Sequence, residues 1–231
     1  MARKFQRRKR WRRKAKKYMR AYKKFGGTSL PVGGPYGQVV KLRYAQEIEL
    51  NPGVGGLNDY NVYRLNGMYD PDQTGVGAQP RGFDQYVATD GGAGLFHHYT
   101  VLGARCKAML MNKDTSYPVL AGLAIRDTSS PVSSLLPFVE QSNNRLAMLS
   151  SAGSGGANKT LTINWSAKRW FGKTSVTTER DLTGNSGANP PEEAFIHLFV
   201  NGLSQDTSAT TCLFIIDYIV LFRNKVVPGA S

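Results

Sequence analysis

The sequence predicts an all-β fold: an eight-stranded antiparallel jelly roll of two packed sheets, with a basic arm at its N-terminal side. Three observations carry this. Apolar and polar residues alternate over run after run, the period of a half-buried strand. The 25 glycines, with frequent Ser, Thr and Asn, suit many short strands joined by turns. The charge is segregated: 14 of the 30 Lys/Arg fall within the first 24 residues, which hold no Asp or Glu.

Residues 26–37, GGTSLPVGGPYG, form a Gly/Pro hinge that forbids regular structure. The body, 38–231, opens with a long strand over Gln38–Leu50, in which Val40, Leu42, Tyr44, Ile48 and Leu50 alternate with Lys41, Arg43, Glu47 and Glu49. Asn51-Pro52-Gly53 breaks it, and Tyr60–Leu65 is a second, shorter strand. A long connection over 66–94 has turn signals at Asp70-Pro71-Asp72 and Gly91-Gly92, with one or two helical turns expected in Arg81–Ala88. Leu95–Met111 is the third strand and Tyr117–Ile125 the fourth. Ser130–Gln141 suits a short helix limited by Pro137. Arg145–Leu149 and Thr160–Trp165 are the fifth and sixth strands, and Lys168–Thr178 is left without assignment. After a Gly/Asn/Pro-rich loop come Ala194–Leu203 and Thr210–Asn224, the seventh and eighth strands. The eighth is apolar on both faces and belongs in the middle of a sheet. No repeat and no second core interrupt the run, and a body of about 200 residues buries one substantial core.

The arm, residues 1–25, carries Arg3, Lys4, Arg7, Arg8, Lys9, Arg10, Arg12, Arg13, Lys14, Lys16, Lys17, Arg20, Lys23 and Lys24. The remaining residues carry 16 basic and 16 acidic side chains, so the whole net charge of +14 belongs to the arm. Such a segment repels itself and buries little, and its partner is a polyanion. Aromatic residues are interleaved with the cations. Trp11, Ala15, Tyr18, Tyr22 and Phe25 recur at spacings of 4, 3, 4 and 3, one stripe along a helix that forms when the charge is neutralised. A solvated tail is the competing expectation. Charge this dense with so few aliphatic residues favours nucleic acid over a membrane surface.

Other chemistry finds little support. Cys106 and Cys212 each lie in an apolar strand and are expected to be buried thiols. No apolar segment follows the charged N-terminus as a secretory signal requires. The most apolar run, Cys212–Phe222, is too short to cross a bilayer as a helix and contains Asp217. A soluble, intracellular protein is therefore expected, and the triplets at Asn158 and Asn164 are chance glycosylation matches. Gly172-Lys173-Thr174 resembles the end of a phosphate loop, but Ala167 stands where that motif needs glycine. His97, His98 and His197 are the only histidines. Neighbours on a strand face opposite ways, and Thr100 and Phe199 stand where an acidic ligand would complete a facial triad. Asp70 and Asp72 fit a proline turn better than a cation site. No catalytic residue, metal or other cofactor is expected.

Three basic pairs inside the body share i, i+2 spacing: Lys41/Arg43, Arg105/Lys107 and Arg223/Lys225. Each pair points to one face of its strand. They fall in the first, third and eighth strands, which a jelly roll places in one sheet, so a basic patch is expected there. The alternative is three solvated faces, paired with Glu47, Glu49 and Asp217.

The stretch Tyr63–Tyr86, YRLNGMYDPDQTGVGAQPRGFDQY, resembles the connector between early strands in the capsid proteins of small circular single-stranded DNA viruses, the circovirus-like group. Tyr-Asp-Pro-Asp, Thr-Gly, Gln-Pro and Gly-Phe-Asp-Gln occur in the same order, and Ala78 stands where many relatives have His. The motif covers about 24 residues, and the rest of the chain is similar only in plan. The resemblance implies a structural coat protein that assembles with itself into a sixty-copy icosahedral shell. It implies an interior arm that packages single-stranded viral DNA, and RNA in recombinant particles. It implies nuclear targeting through the same arm, hence import receptors as partners, a host-cell receptor, and residence in the virion and the host nucleus. The nucleic-acid-binding set comprises the arm cations, Trp11, Tyr18 and Tyr22 for base stacking, and the three body pairs. The alternative function is a cellular or ribosomal RNA-binding β protein with a basic extension. A jelly-roll enzyme or lectin comes third, since no ligand pocket is marked.

Overall fold

Strict alternation in the sequence becomes strict alternation in burial. Along β1 (Gln38–Leu50), Leu42, Tyr44 and Leu50 are buried, while Lys41, Arg43, Ala45, Glu47 and Glu49 face solvent. The computed structural model describes residues 37–53, 57–74, 78–88, 94–203, 205, 207 and 209–226. The chain divides into two units, Met1–Val32 and Gly33–Ser231, and every described residue belongs to the second. The expectations for the arm, its aromatic stripe and nearly all of the hinge fall outside the described residues.

Seven further strands follow: β2 (Asn58–Arg64), β3 (Phe96–Asn112), β4 (Val119–Arg126), β5 (Asn144–Leu149), β6 (Asn158–Ser166), β7 (Phe195–Asn201) and β8 (Thr210–Lys225). They form two four-stranded sheets in the orders β1-β8-β3-β6 and β2-β7-β4-β5, with every pairing antiparallel. This is the eight-stranded jelly roll, and β8 takes the central place its sequence predicts.

The core lies between the sheets. From β8, Cys212, Phe214, Ile216, Tyr218, Val220 and Phe222 all point inward and are fully buried. The Phe214 ring stacks on Tyr63 of β2, centroids 4.2 Å apart. The Tyr218 hydroxyl donates 2.7 Å to the Arg64 carbonyl, so one side chain satisfies a polar group across the sandwich. Each such aromatic contributes about 1.5–3 kcal/mol by leaving water. Cys106 and Cys212 are buried free thiols, as expected. Burial raises both pKa values, that of Cys212 to about 12, so neither is a reactive thiolate.

β7 is buried at every position, although only Ile196, Leu198 and Val200 face the main core. Its other face is covered by the loop after β4. That loop's single helical turn, which follows α1 (Phe83–Tyr86) as α2 (Leu136–Val139), lays Phe138 flat on Phe199 with centroids 4.1 Å apart. Asn58 Nδ2 ties the same loop down by donating to the carbonyls of Val132 and Ser134.

A third turn, α3 (Ala167–Trp170), fills part of the segment left unassigned from sequence and ends near Gly172 at φ 64°. Beyond it, the chain crosses the end of the β1-β8-β3-β6 sheet. Gly184 exchanges two backbone hydrogen bonds with Tyr99, of 2.9 and 3.0 Å. A Cβ on Gly184 would lie 2.4 Å from the Tyr99 ring, so glycine alone permits this close crossing.

Candidate nucleic-acid interface

The three basic pairs do share one sheet, because β8 lies between β1 and β3. Their side chains then part company. In register, Asp217 of β8 is flanked by Arg43 on one side and Arg105 on the other. Arg43 donates to both Asp217 oxygens, at 2.7 and 3.2 Å, and Lys41 Nζ lies 3.0 Å from the same carboxylate. Burial alone would raise the pKa of Asp217, but the hydrogen bonds from Arg43 and Lys41 outweigh it and hold the carboxyl below its ordinary range. Two cations of the row are thus held around one anion. Arg105 and Lys107 enter no ion pair among the described residues.

Arg223 leaves the open row altogether. A register shift between Val101 and Gly103 of β3 brings Thr100 beneath the end of β8, and the 177–184 segment closes over it. Arg223 Nη2 donates to Thr100 Oγ1 at 2.9 Å and Thr183 Oγ1 at 2.8 Å, and Nη1 donates to the Thr177 carbonyl. Burial lowers its pKa. Lys225 remains exposed near the strand end. The outer face therefore shows Lys41 and Arg43 clamped on Asp217, then Arg105 and Lys107, then Thr160, Thr162 and Asn164 on the neighbouring β6. On the same face, Ile219 of β8 lies between Lys41 and Gly103, and Leu213 lies between Glu47 and Met109; they are 42% and 37% exposed. The exposed carboxylates of Glu47 and Glu49 occupy one end of this face, Glu49 paired with Lys113, and the cations and hydroxyls of the remainder can take phosphates.

The connector that carries the resemblance is held by a different ion cluster. Arg64, only 12% exposed, lies 2.8 Å from Asp70 and 2.6 Å from Glu193. The Glu193 contact is a charge pair between two atoms that are both buried. Burial raises the pKa of Glu193, and Arg64 opposes that rise. Asp72 accepts from Gln46 Nε2 at 2.8 Å and from the Thr74 amide at 3.0 Å. Both aspartates of the proline turn thus serve local structure. Among the described residues, no group of three or more His, Cys, Asp or Glu is placed to hold a metal ion.

The histidines separate as strand geometry requires. His97 is exposed, His98 is half-buried, and their ring centroids stand 6.4 Å apart. Burial first, then His97 and Arg223, lower the pKa of His98. His197 is buried against Phe138, its Nε2 2.8 Å from the Thr128 carbonyl, and burial pulls its pKa down to about 4. Sequence reasoning missed the Phe138 cover and the surroundings of Arg223. The apolar Leu135–Val139 within a polar loop was the available signal for the first.

Strands, sheet order and inward aromatics together define a two-sheet jelly roll. Compared with protein-family models and with curated proteins, the sequence matches none. Among solved structures, the chain aligns with Desmodium yellow mottle tymovirus at 12% identity, covering 89% of this chain and 97% of that one, with a TM-score of 0.44. It aligns with the decameric BFDV capsid protein at 11% identity, covering 81% and 99%, with a TM-score of 0.42. With mud crab tombus-like virus the identity is 8%, the coverage 87% and 96%, and the TM-score 0.48. Among the described residues no helix is long and apolar enough to cross a membrane.

Proposed function

We propose that this chain is the coat subunit of a small icosahedral virus with a circular single-stranded DNA genome. The observation that carries the reading is the division of charge: an arm of 14 cations joined to a jelly-roll body with 16 basic and 16 acidic side chains. A neutral body lets like subunits approach without mutual repulsion. A cationic arm releases counterions as it condenses a polyanion, and sixty copies would bring roughly 840 arm charges to the genome. Trp11, Tyr18 and Tyr22 stack on unpaired bases, each contact worth about 1–3 kcal/mol. The resemblance of Tyr63–Tyr86 to circovirus-like coat proteins supports the choice of virus. The same arm serves nuclear import, and the loops at 66–94, 127–143 and 167–191 supply contacts between copies and outer-surface features. The reading includes no catalytic step.

Electron microscopy of the purified chain tests the assembly. Uniform closed shells are the expected result, and a monomer that persists under all salt conditions overturns it in favour of an RNA-binding protein with a basic extension.

The sheet face gives a second test. In Asp217→Asn the carboxylate that Lys41 and Arg43 share is gone. Both cations are more than half exposed, at 54% and 61%, so stability falls by less than about 1 kcal/mol. Affinity for single-stranded DNA is expected to rise, and the slope of log affinity against log salt to steepen by about 0.7–1. Filter binding over a salt series reads this, and an unchanged slope removes the sheet face from the interface.

A further inference from the structure

The arginine that left the basic row lines a cavity. It has a volume of about 530 Å³ and lies between the end of β8 and the segment after α3. Its walls include His98, Thr183, Asn185 and Asn224, with Arg223 at the half-buried side and Arg180 at the exposed side.

The charge in this cavity is not balanced. Arg223 is held by two hydroxyls and a carbonyl, and no carboxylate lies within ion-pair distance of it among the described residues. Its Nε–H is buried and meets no acceptor there. Glu179 also lines the cavity, but its carboxylate lies 3.5 Å from Lys173. A half-buried guanidinium without a counter-charge is costly, and a spare buried donor adds to that cost. An anion bound between Arg223 and Arg180 supplies the missing counter-charge. Arg180, which enters no ion pair among the described residues, offers a forked guanidinium that suits a tetrahedral oxyanion, and Arg223 adds its charge. The space exceeds what a bare oxyanion needs and falls within the roughly 300–1,000 Å³ of small-molecule sites. The remaining walls, an imidazole and two side-chain amides, can meet a base edge or a sugar hydroxyl.

We propose that this cavity is a nucleotide site, with Arg223 and Arg180 holding the phosphate while His98, Asn185 and Asn224 line the room for sugar and base. The choice of a nucleotide over another anion rests on the coat-protein reading. The anion site itself rests on the cavity and its unpaired arginine. It gives the body a discrete contact with one genome nucleotide, in addition to the diffuse charge of the arm.

The test titrates the full-length chain, by calorimetry at about 0.15 M salt, with thymidine 5′-monophosphate, thymidine and inorganic phosphate. The nucleotide is expected to bind, thymidine to give no heat, and inorganic phosphate to bind at least about tenfold more weakly than the nucleotide. Arg180→Ala, at an exposed position, is expected to weaken the nucleotide by about tenfold or more, the worth of a charged hydrogen bond. Arg223→Lys keeps the charge but loses the bonds to Thr100, Thr177 and Thr183 that position it, and should weaken the nucleotide, with thermal unfolding confirming the fold. Equal nucleotide affinity in wild type and Arg180→Ala overturns the proposal. So does inorganic phosphate binding as tightly as the nucleotide. If Arg180→Ala binds the nucleotide normally yet no longer closes shells, the cavity takes a carboxylate of a second copy, and the proposal falls. Shell closure by the wild-type chain is scored separately. Closed shells without nucleotide binding leave the coat reading standing, and nucleotide binding without shells leaves the site standing.

Discussion

A chain lacking residues 2–25 is expected to purify free of nucleic acid, with its β body still folded. The deletion removes all 14 arm cations and leaves 16 basic and 16 acidic side chains. Non-specific affinity for a nucleic acid is set by the phosphates neutralised, so losing those cations removes several orders of magnitude at physiological salt. The strands begin at Gln38, beyond the deletion, and the core side chains come from the strands and their connections. An absorbance ratio typical of protein alone, with an unchanged far-ultraviolet circular dichroism spectrum, is the expected pair of readings. Nucleic acid retained by the truncated chain would transfer the principal binding role to the sheet face around Arg105 and Lys107.

Arg64→Ala is expected to cause the largest loss of stability among single changes at charged positions. Arg64 serves two carboxylates at once, Asp70 at 2.8 Å and Glu193 at 2.6 Å, and is itself only 12% exposed. Removing one partner of a largely buried ion pair leaves the other uncompensated, a loss of about 2–3 kcal/mol after allowing for the partial exposure of the acids. For a domain of this size that is roughly 5–10 °C in Tm. The loss should depend on pH, and its sign follows from Glu193. Burial already raises its folded pKa above the unfolded value, so its contribution is complete in acid and declines as pH rises through the folded pKa. Arg64 limits that decline. Without Arg64 the deficit should be small near the ordinary glutamate range, about pH 4.3, and grow toward neutrality. Thermal melts across that range read it, and a deficit independent of pH would show that Glu193 is not the group left exposed to cost.

The strands were legible because their alternation is a local property. Gln38–Leu50 is read from sequence with the bounds the structure gives it, since Asn51-Pro52-Gly53 leaves no choice of end. The central place of β8 was legible too from a run that is apolar on both faces, although its outer face stays partly exposed at Leu213 and Ile219. Arg223 was not legible as a cavity residue. Its i, i+2 spacing with Lys225 describes the strand, whereas its environment comes from a bulge in β3 and a crossing loop. Neither leaves a periodic mark. The clamp on Asp217 was legible only as an alternative: spacing puts Lys41 and Arg43 on one face, but only the β1–β8 register sets Arg43 opposite Asp217. The helical turns escaped firm assignment because four residues make too short a period to detect.

The pairing of β1 with β8 also sets a schedule. Arg43 and Asp217 are 174 residues apart in sequence, and the β3–β8 ladder closes a loop of similar kind. Closing such loops must precede the contacts that reward it, so folding belongs to the slow, millisecond-to-second range of non-local β topologies. During synthesis the arm and the first seven strands emerge before the strand that completes the first sheet. The β2-β7-β4-β5 sheet can pair as soon as β7 has emerged, whereas the β1-β8-β3-β6 sheet, and the core between the two, waits for β8. Translation itself therefore sets the moment at which the sandwich can close.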